Sequence, residues 1–275
     1  MDLGLSGRVA IVGGASRGLG RACAERLTRE GANLVIVARG EEELEAAAEA
    51  IAEETSVEVL PVAADQGRSD AARSVVDRAM ERFGRIDVLV NNTGGPPSGE
   101  FADHDDAAWR AAFDGTLMSV VRFCRAVVPI MREQRWGRIV NDTSFTVKEP
   151  AERLILSNVF RVGVVALSKT LAREVAGDGI TVNCVCPGAF DTDRLRAIFR
   201  EQSEASGRDL DDVRREWEAR IPIGRMQRPE ELADMVAFLA SDRAAAITGA
   251  CLPVDGGVKN PAASCGALKG NTLQV

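Results

Sequence analysis

A serine and an arginine, Ser157 and Arg161, lie four residues apart in the apolar stretch LILSNVFRVG. Residues at i and i+4 share one face of a helix, so both polar side chains are expected to point the same way. A hydroxyl and a guanidinium can bind a polar ligand, and the guanidinium keeps its charge at any working pH. The chain has no tyrosine, so no phenol is available as an acid or a base.

Two further polar side chains precede this pair. Ser144 ends the run GRIVNDTS, and Lys148 follows in the segment SFTVKEP. A lysine beside a desolvated pocket can have its pKa lowered and exchange protons near neutrality, whereas a solvated loop lysine cannot. Both interpretations of Lys148 stay open. We expect the single histidine, His104, at the surface near the pocket mouth, and with so few candidate ligands we predict no metal site.

The elements that must position these residues alternate along the chain. Apolar runs typical of buried strands are each followed by an amphipathic pattern typical of a helix. This order predicts an α/β fold: a single-domain, doubly wound parallel sheet, Rossmann-like, with helices on both faces. Two long helices are expected at about 105–132 and 152–176. The predicted strands are RVAIVGG, NLVIVA, VEVLPVAA, IDVLVNN, GRIVNDTS, ITVNCVC and CLPVDGG.

Composition limits the classes of function. The chain has 275 residues and a formal net charge of −7, which argues against nucleic acid as a partner. We see no secretory signal and no apolar run of membrane-span length, and we expect scattered, reduced thiols in a cytoplasmic protein. The domain is predicted to cover 1–258, with a substrate lid at about 191–221. A flexible C-terminal tail is predicted for 259–275.

A glycine-rich loop follows the first predicted strand. The segment VGGASRGLGRA places Gly14, Gly18 and Gly20 between that strand and a helix. Glycines there let backbone N–H groups approach a pyrophosphate at the helix N-terminus, although an ordinary glycine-rich turn would have the same composition.

The second predicted strand ends in Ala38 and Arg39, where an acidic residue would indicate NAD. Arg17 lies in the glycine loop nearby. Two guanidinium groups suit a 2′-phosphate, so we predict NADP(H) as the cofactor; the alternative is two solvated surface arginines.

Several motifs, in order, resemble the short-chain dehydrogenase/reductase family over about residues 5–258. They are GGASRGLG (with Gly13 where a threonine is usual), AADQ, NNTG, GRIVNDTS, CPGAFDT and TGACLPVDGG. The resemblance implies a set of residues that contact the cofactor, with Asp65 near the adenine and Thr192 at the nicotinamide amide. That set is Gly14, Ser16, Arg17, Gly18, Leu19, Gly20, Arg39, Asp65, Gln66, Asn92, Gly94, Arg161, Pro187, Gly188 and Thr192.

The family's reductases use a tyrosine, a lysine four residues later, a serine and an asparagine. Ser144 matches the serine, but the tyrosine position falls on Ser157 and the lysine position on Arg161. The asparagine position, counted from Trp109, falls on Thr116. We therefore expect Arg161 to hold the cofactor, Ser144 to hold a substrate oxygen and Ser157 to be a small polar filler.

Three functions follow from this altered site. The first is an NADP(H)-dependent oxidoreductase acting on a carbonyl or alcohol, with Lys148 as the candidate proton donor. The second is a catalytically silent cofactor-binding subunit or sensor, working with an active paralogue. The third is non-redox chemistry such as dehydration or isomerisation. The resemblance also implies a homotetramer or dimer, with Gly163, Ala166 and Ala172 letting helices approach their copies.

Overall fold

Seven parallel strands form one sheet in the order β3-β2-β1-β4-β5-β6-β7 in the computed structural model, which describes residues 1–258. The predicted tail at 259–275 lies outside the described residues. The reversal of strand order between β1 and β4 places the ends of both strands beside one crevice, the usual position of a ligand in such sheets. The strands are β1 Val9–Gly13, β2 Asn33–Ala38, β3 Val59–Ala63, β4 Val88–Asn91, β5 Gly137–Asp142, β6 Ile180–Pro187 and β7 Cys251–Val254.

Helices cover both faces of this sheet, which confirms the predicted fold class. One buried cluster joins the sheet to α1, α2 and α9, and a second joins it to α3, α5 and α6. The strands read as continuous apolar runs because both of their faces are buried. The helices are α1 Gly18–Arg29, α2 Glu41–Glu54, α3 Ala71–Phe83, α4 Asp106–Ala112, α5 Ser119–Gln134, α6 Ile155–Val175, α7 Asp193–Ser206, α8 Leu210–Ala219 and α9 Pro229–Leu239.

The long helix expected at 105–132 is interrupted. A π-helical turn, Phe113–Met118, separates α4 from α5. Gly115 lies in this turn, and the Ser119 hydroxyl donates to its carbonyl at 2.8 Å. A glycine and a serine that bonds backbone both weaken regular helix, which explains why the apolar period alone missed the interruption. Thr116 is buried in this turn.

The predicted lid at about 191–221 consists of two helices, α7 and α8. Gly207 adopts a left-handed conformation at the end of α7, and α8 follows. Both helices pack on their own buried cluster, which includes Leu195, Phe199 and Val213. The charged residues between these inward positions face solvent.

The helix α6 departs from one sequence expectation. Within the described chain, residues 155–178 are long and apolar enough to cross a membrane, with a mean hydropathy of 1.4. However, Val164, Ala172 and Val175 of this helix are buried in the core cluster on the sheet. The apolar character of α6 therefore has an explanation in the packing of the domain.

Candidate active site

The glycine loop lies at the carboxyl edge of the sheet, between β1 and α1. Gly14 and Gly18 have positive φ angles of 59° and 60°, which favour glycine. A Cβ at Gly20 would meet the Gly13 carbonyl oxygen at 2.6 Å, so only glycine fits there. Ser16 and Arg17 lead into α1, and Leu19 packs against the core. This backbone is shaped to let a ligand approach its N–H groups.

Gln66 explains the unusual glycine at position 13. A Cβ at Gly13 would meet Gln66 Oε1 and the Asn92 carbonyl oxygen, each at 2.5 Å. The Gln66 amide donates to the Asn92 carbonyl at 3.3 Å, and the Asn92 amide donates to the Gly13 carbonyl at 3.0 Å. The glutamine therefore fills the space that a threonine side chain would need, and it ties the glycine loop to the end of β4.

Arg17 and Arg39 lie at the ends of neighbouring strands. The Ala15 N–H donates to the Val37 carbonyl at 3.2 Å, which joins the glycine loop to β2. Both arginines are exposed, and no ion pair or hydrogen bond of either side chain is found within residues 1–258. Two unpaired guanidinium groups at this edge suit a phosphate. Asp65, beyond β3, is also exposed and accepts the Gly67 N–H at 3.0 Å.

The opposite wall of the cleft comes from the segment after β6. The Gly188 N–H donates to the Val254 carbonyl at 3.0 Å, and a Cβ at Gly188 would meet the Asp255 Cα at 2.7 Å. Thr192 caps α7, and its methyl group is 3.8 Å from the Cβ position of Gly18. The structure thus places Thr192 beside the glycine loop, with Pro187 and Gly188 a few residues before it along the chain, while Gly94 has open space around it.

Arg161 is the buried cation of the site. Its Nη1 donates to the carbonyl oxygens of Asp142 and Thr143, at 3.0 and 2.6 Å. Burial lowers the pKa of the guanidinium, the Asp142 carboxylate opposes this shift, and the nearby Arg194 adds to it. A buried charge needs such partners, because desolvation is costly. These two bonds fix Arg161 at the end of β5, just before Ser144.

The two candidate serines differ in their contacts. Ser157 is buried one turn before Arg161 on α6, and no hydrogen bond of its hydroxyl is found within the described chain. The Ser144 hydroxyl accepts the Thr146 N–H at 3.2 Å and caps a short 3-10 helix. Ser144 thus has a fixed position beside Thr143, whereas the Ser157 hydroxyl stays available to a ligand.

Lys148 directly follows the short 3-10 helix that Ser144 caps. Its side chain is exposed, and its positive charge adds to the effect of the Cys186 hydrogen bond in lowering the pKa of Cys251. Cys251 lies on β7, with its sulfur 3.0 Å from that of Cys186 on β6. Lys148 as the proton donor therefore stays a prediction, and it requires the flexible lysine stem to turn toward Ser144.

Two residues of the site were not predicted from the sequence. Asp142 ends β5, and its Oδ1 is buried without a hydrogen-bond partner among the described residues. Burial raises the pKa of this carboxyl to about 7, and the Arg161 charge only partly offsets the shift. Arg194, at the start of α7, extends across the cleft, with its Nη1 2.8 Å from the Cβ position of Gly95. Neither the burial of Asp142 Oδ1 nor the reach of Arg194 has a signal in the sequence pattern, because both depend on neighbours from distant elements.

His104 also differs from expectation. It is half-buried, and its Nε2 has no hydrogen-bond partner in the described part of the chain. This nitrogen is 2.7 Å from the Cβ position of Gly99, so His104 packs under the loop that follows β4. No cluster of three or more metal-ligating side chains was found within residues 1–258.

The sheet is parallel, with a glycine loop after its first strand, a serine after its fifth strand and a buried cation on the helix that follows. These features together define the class of protein. Residues 14–259 match the sequence profile of a family described as Enoyl-(Acyl carrier protein) reductase. The chain belongs to the short-chain dehydrogenase/reductase family.

Three relatives illustrate the likeness. The 3-oxoacyl-(acyl-carrier-protein) reductase FabG of Escherichia coli is 36% identical over 256 residues, which is 93% of this chain and 99% of FabG. The L-sorbose reductase of Gluconobacter frateurii, solved with NADPH and L-sorbose, is 36% identical with a TM-score of 0.91, covering 94% of this chain and 98% of that one. An actinorhodin polyketide ketoreductase variant, solved with NADPH, is 36% identical with a TM-score of 0.86, covering 91% and 96%.

The buried Asp142 carboxyl leads to a prediction about how the free energy of unfolding depends on pH. Its pKa of about 7 in the folded state exceeds the value of about 3.9 in the unfolded chain, so between pH 4 and 7 the folded state binds more protons. The free energy of unfolding should therefore fall as pH rises through this window. Asp142→Asn should reduce that fall by about 1–4 kcal/mol. Urea titrations at pH 5 and pH 8 measure it, and identical pH slopes for both proteins would contradict the assignment.

Proposed function

We propose that this protein is an NADP(H)-dependent oxidoreductase that acts on a carbonyl or alcohol substrate through a non-standard active site. The observation that carries the proposal is the Arg161 guanidinium, buried and bonded to two carbonyl oxygens at the end of β5. It supplies a fixed positive charge at the position where the family has its lysine. FabG and the L-sorbose reductase, which carry the name reductase, support the reaction class.

The residues of the cleft fit the cofactor. Glycines at 14, 18 and 20 leave backbone N–H groups accessible, and Arg17 and Arg39 supply unpaired guanidinium groups for a 2′-phosphate. The L-sorbose reductase was solved with NADPH. When bound, such a cofactor supplies or accepts the hydride. The chain's own task is then to orient it, to hold the substrate oxygen and to move one proton.

In this site, holding the cofactor and moving the proton, the two tasks of the family's catalytic pair, fall to different residues. Arg161 can hold the cofactor through its remaining N–H donors, since only Nη1 is engaged by the backbone in the described contacts. Ser144 is placed to donate to the substrate oxygen. Ser157 lacks the acidity of a phenol, and general acid catalysis is most effective with a pKa near the working pH. Lys148 stays our candidate for the proton donor.

Two other functions are kept as alternatives. A silent cofactor-binding subunit or sensor, working with an active paralogue, would bind NADPH but would itself turn over no carbonyl. A non-redox enzyme would convert substrate without consuming cofactor. A panel of ketones and aldehydes, followed by NADPH absorbance and by product analysis, separates these cases. NADPH oxidation that matches alcohol formation supports the proposal, and either of the other patterns overturns it.

We also propose a cytoplasmic homotetramer or dimer. Val159 and Val162 on α6 are 48% and 47% exposed, and Phe113 on the π-helical turn is 40% exposed. Gly163 and Ala166 lie on this helix as expected, but Ala172 is buried in the subunit's own core and cannot contact a copy. The apolar face of Val159, Val162 and Phe113 is thus the candidate interface.

Light scattering tests the assembly. The unmodified protein should be at least dimeric at micromolar concentration, because leaving this apolar face exposed is unfavourable. Val159→Glu combined with Val162→Glu should shift it toward monomer, with an unchanged circular dichroism spectrum. A monomeric unmodified protein would contradict the proposal.

A second prediction concerns cofactor preference. NADPH should bind more tightly than NADH, because Arg17 and Arg39 can pair with a 2′-phosphate. Arg39→Asp should narrow or reverse that preference, whereas Arg39→Lys, which keeps the charge, should retain most of it. Fluorescence titration with both dinucleotides measures the ratio. Equal affinities for the unmodified protein would show that the arginines do not read the phosphate.

A third prediction separates the two residues of the α6 pair. Arg161→Ala should weaken NADPH binding by about 1–3 kcal/mol, the range for losing a hydrogen bond to a charged group. Ser157→Ala should leave NADPH binding nearly unchanged, since its hydroxyl has no assigned cofactor contact. Calorimetric titration of both variants measures the difference. Equal losses for the two would refute the division of roles.

A further inference from the structure

Two thiols lie against each other directly behind the candidate active site. Cys186 on β6 and Cys251 on β7 have their Sγ atoms 3.0 Å apart. Cys186 is fully buried, while Cys251 is partly exposed at the edge of the sheet. The Thr143 hydroxyl donates to the Val185 carbonyl at 2.8 Å and lies 3.3 Å from Cys186 Sγ, so it contacts the inner thiol. An exposed thiol with a buried partner is a typical arrangement of a peroxide-sensitive pair.

The charges around the pair favour a thiolate on the outer cysteine. The hydrogen bond from Cys186 lowers the pKa of Cys251 to about 6; burial opposes this shift, and the ammonium groups of Lys148 and Lys169 support it. The shared proton correspondingly raises the pKa of Cys186. A thiolate that is present at neutral pH is the reactive form of cysteine.

The other described cysteines differ in this respect. Burial raises the pKa of Cys184 to about 12, where Ser168 and Lys148 act against the shift and Asp142 with it. Burial also raises the pKa of Cys124 to about 12 and, more strongly, the pKa of Cys23. These three thiols are expected to be inert. The surroundings of Cys251 therefore make it the reactive thiol among these described cysteines.

We propose that Cys251 is a site of modification by hydroperoxides and that Cys186 resolves the product to a disulfide. The Cys251 thiolate attacks one peroxide oxygen, so that an S–O bond forms, the O–O bond breaks and hydroxide leaves. Cys186 then gives up its proton, and its sulfur attacks Cys251, so that the S–S bond forms and the S–O bond breaks. With hydrogen peroxide, two thiols are oxidised, one peroxide is reduced and two water molecules leave.

The strand geometry supports pairing with Cys186 in particular. Cys184, not Cys186, is the register partner of Cys251 across β6 and β7. The Cys184 thiol, however, donates to the Ser168 hydroxyl at 3.1 Å. The sulfurs of Cys186 and Cys251 need to approach by only about 1 Å to reach the length of a disulfide bond. Cys184 is thus a matched control on the same strand.

Mass spectrometry tests the site in the full chain carrying Cys265→Ser, since Cys265 lies outside the described residues. Equimolar hydrogen peroxide should remove two hydrogens and link the peptides holding Cys186 and Cys251. Cys184→Ser should keep the link, whereas Cys186→Ser should abolish it and leave Cys251 as a sulfenic acid that dimedone captures. A link through Cys184, or no link at all, would overturn the proposal.

A labelling rate gives a second readout. Iodoacetamide at pH 7 should alkylate Cys251 at least ~10-fold faster than Cys184 or Cys186, because reaction follows the thiolate fraction. Lys148→Ala should slow the labelling of Cys251 by about 3-fold or more, since it removes a charge that stabilises the thiolate. Equal labelling of all three thiols would contradict the proposed reactivity.

Discussion

A buried guanidinium at the end of a strand governs the arrangement of this site. Arg161 can stay charged in the interior only because two carbonyl oxygens, from Asp142 and Thr143, accept its Nη1. Those bonds hold α6 against the end of β5 and orient the backbone that leads to Ser144. The same charge lies close to Arg194 of the lid helix and to the Asp142 carboxyl, whose Oδ1 has no hydrogen-bond partner within residues 1–258. Removing it would leave carbonyl oxygens, a carboxyl group and the cofactor cleft without their common partner.

In the proposed site, Ser157 and Arg161 take the expected positions of the family's tyrosine and lysine, which separates two tasks that the pair would perform together. Hydride transfer depends mainly on how the cofactor is oriented, and we propose that the glycine loop, Thr192 and Arg161 orient it. Proton transfer depends on an acid with a pKa near the working pH, and Ser157 is not one. A site of this kind needs a donor that lies elsewhere, either on another side chain or in solvent.

The sheet, its order of elements and the cofactor cleft could be predicted because apolar runs and glycine spacing depend on local chemistry. The π-helical turn at Phe113–Met118 could not, because it arises from a glycine carbonyl and a serine hydroxyl that an apolar period does not detect. The raised pKa of Asp142 and the position of Lys148 beside Cys251 depend on side chains from distant strands. The sequence shows the chemical type of each side chain, whereas it does not show how deeply that side chain is buried or which residues surround it.

The central claim is that α6 keeps a cofactor-holding charge at Arg161 but no acid at Ser157. Single-turnover NADPH oxidation by Ser144→Ala, Lys148→Ala and Ser157→Ala variants, with the carbonyl substrate identified from a panel, tests it most directly. We expect Ser157→Ala to stay within ~10-fold of the unmodified protein, because losing a positioned acid typically costs about 100-fold to 10,000-fold. Ser144→Ala and Lys148→Ala should each be slower than Ser157→Ala. Loss of activity in Ser157→Ala together with an unaffected Lys148→Ala would contradict the claim and make Ser157 the catalytic group.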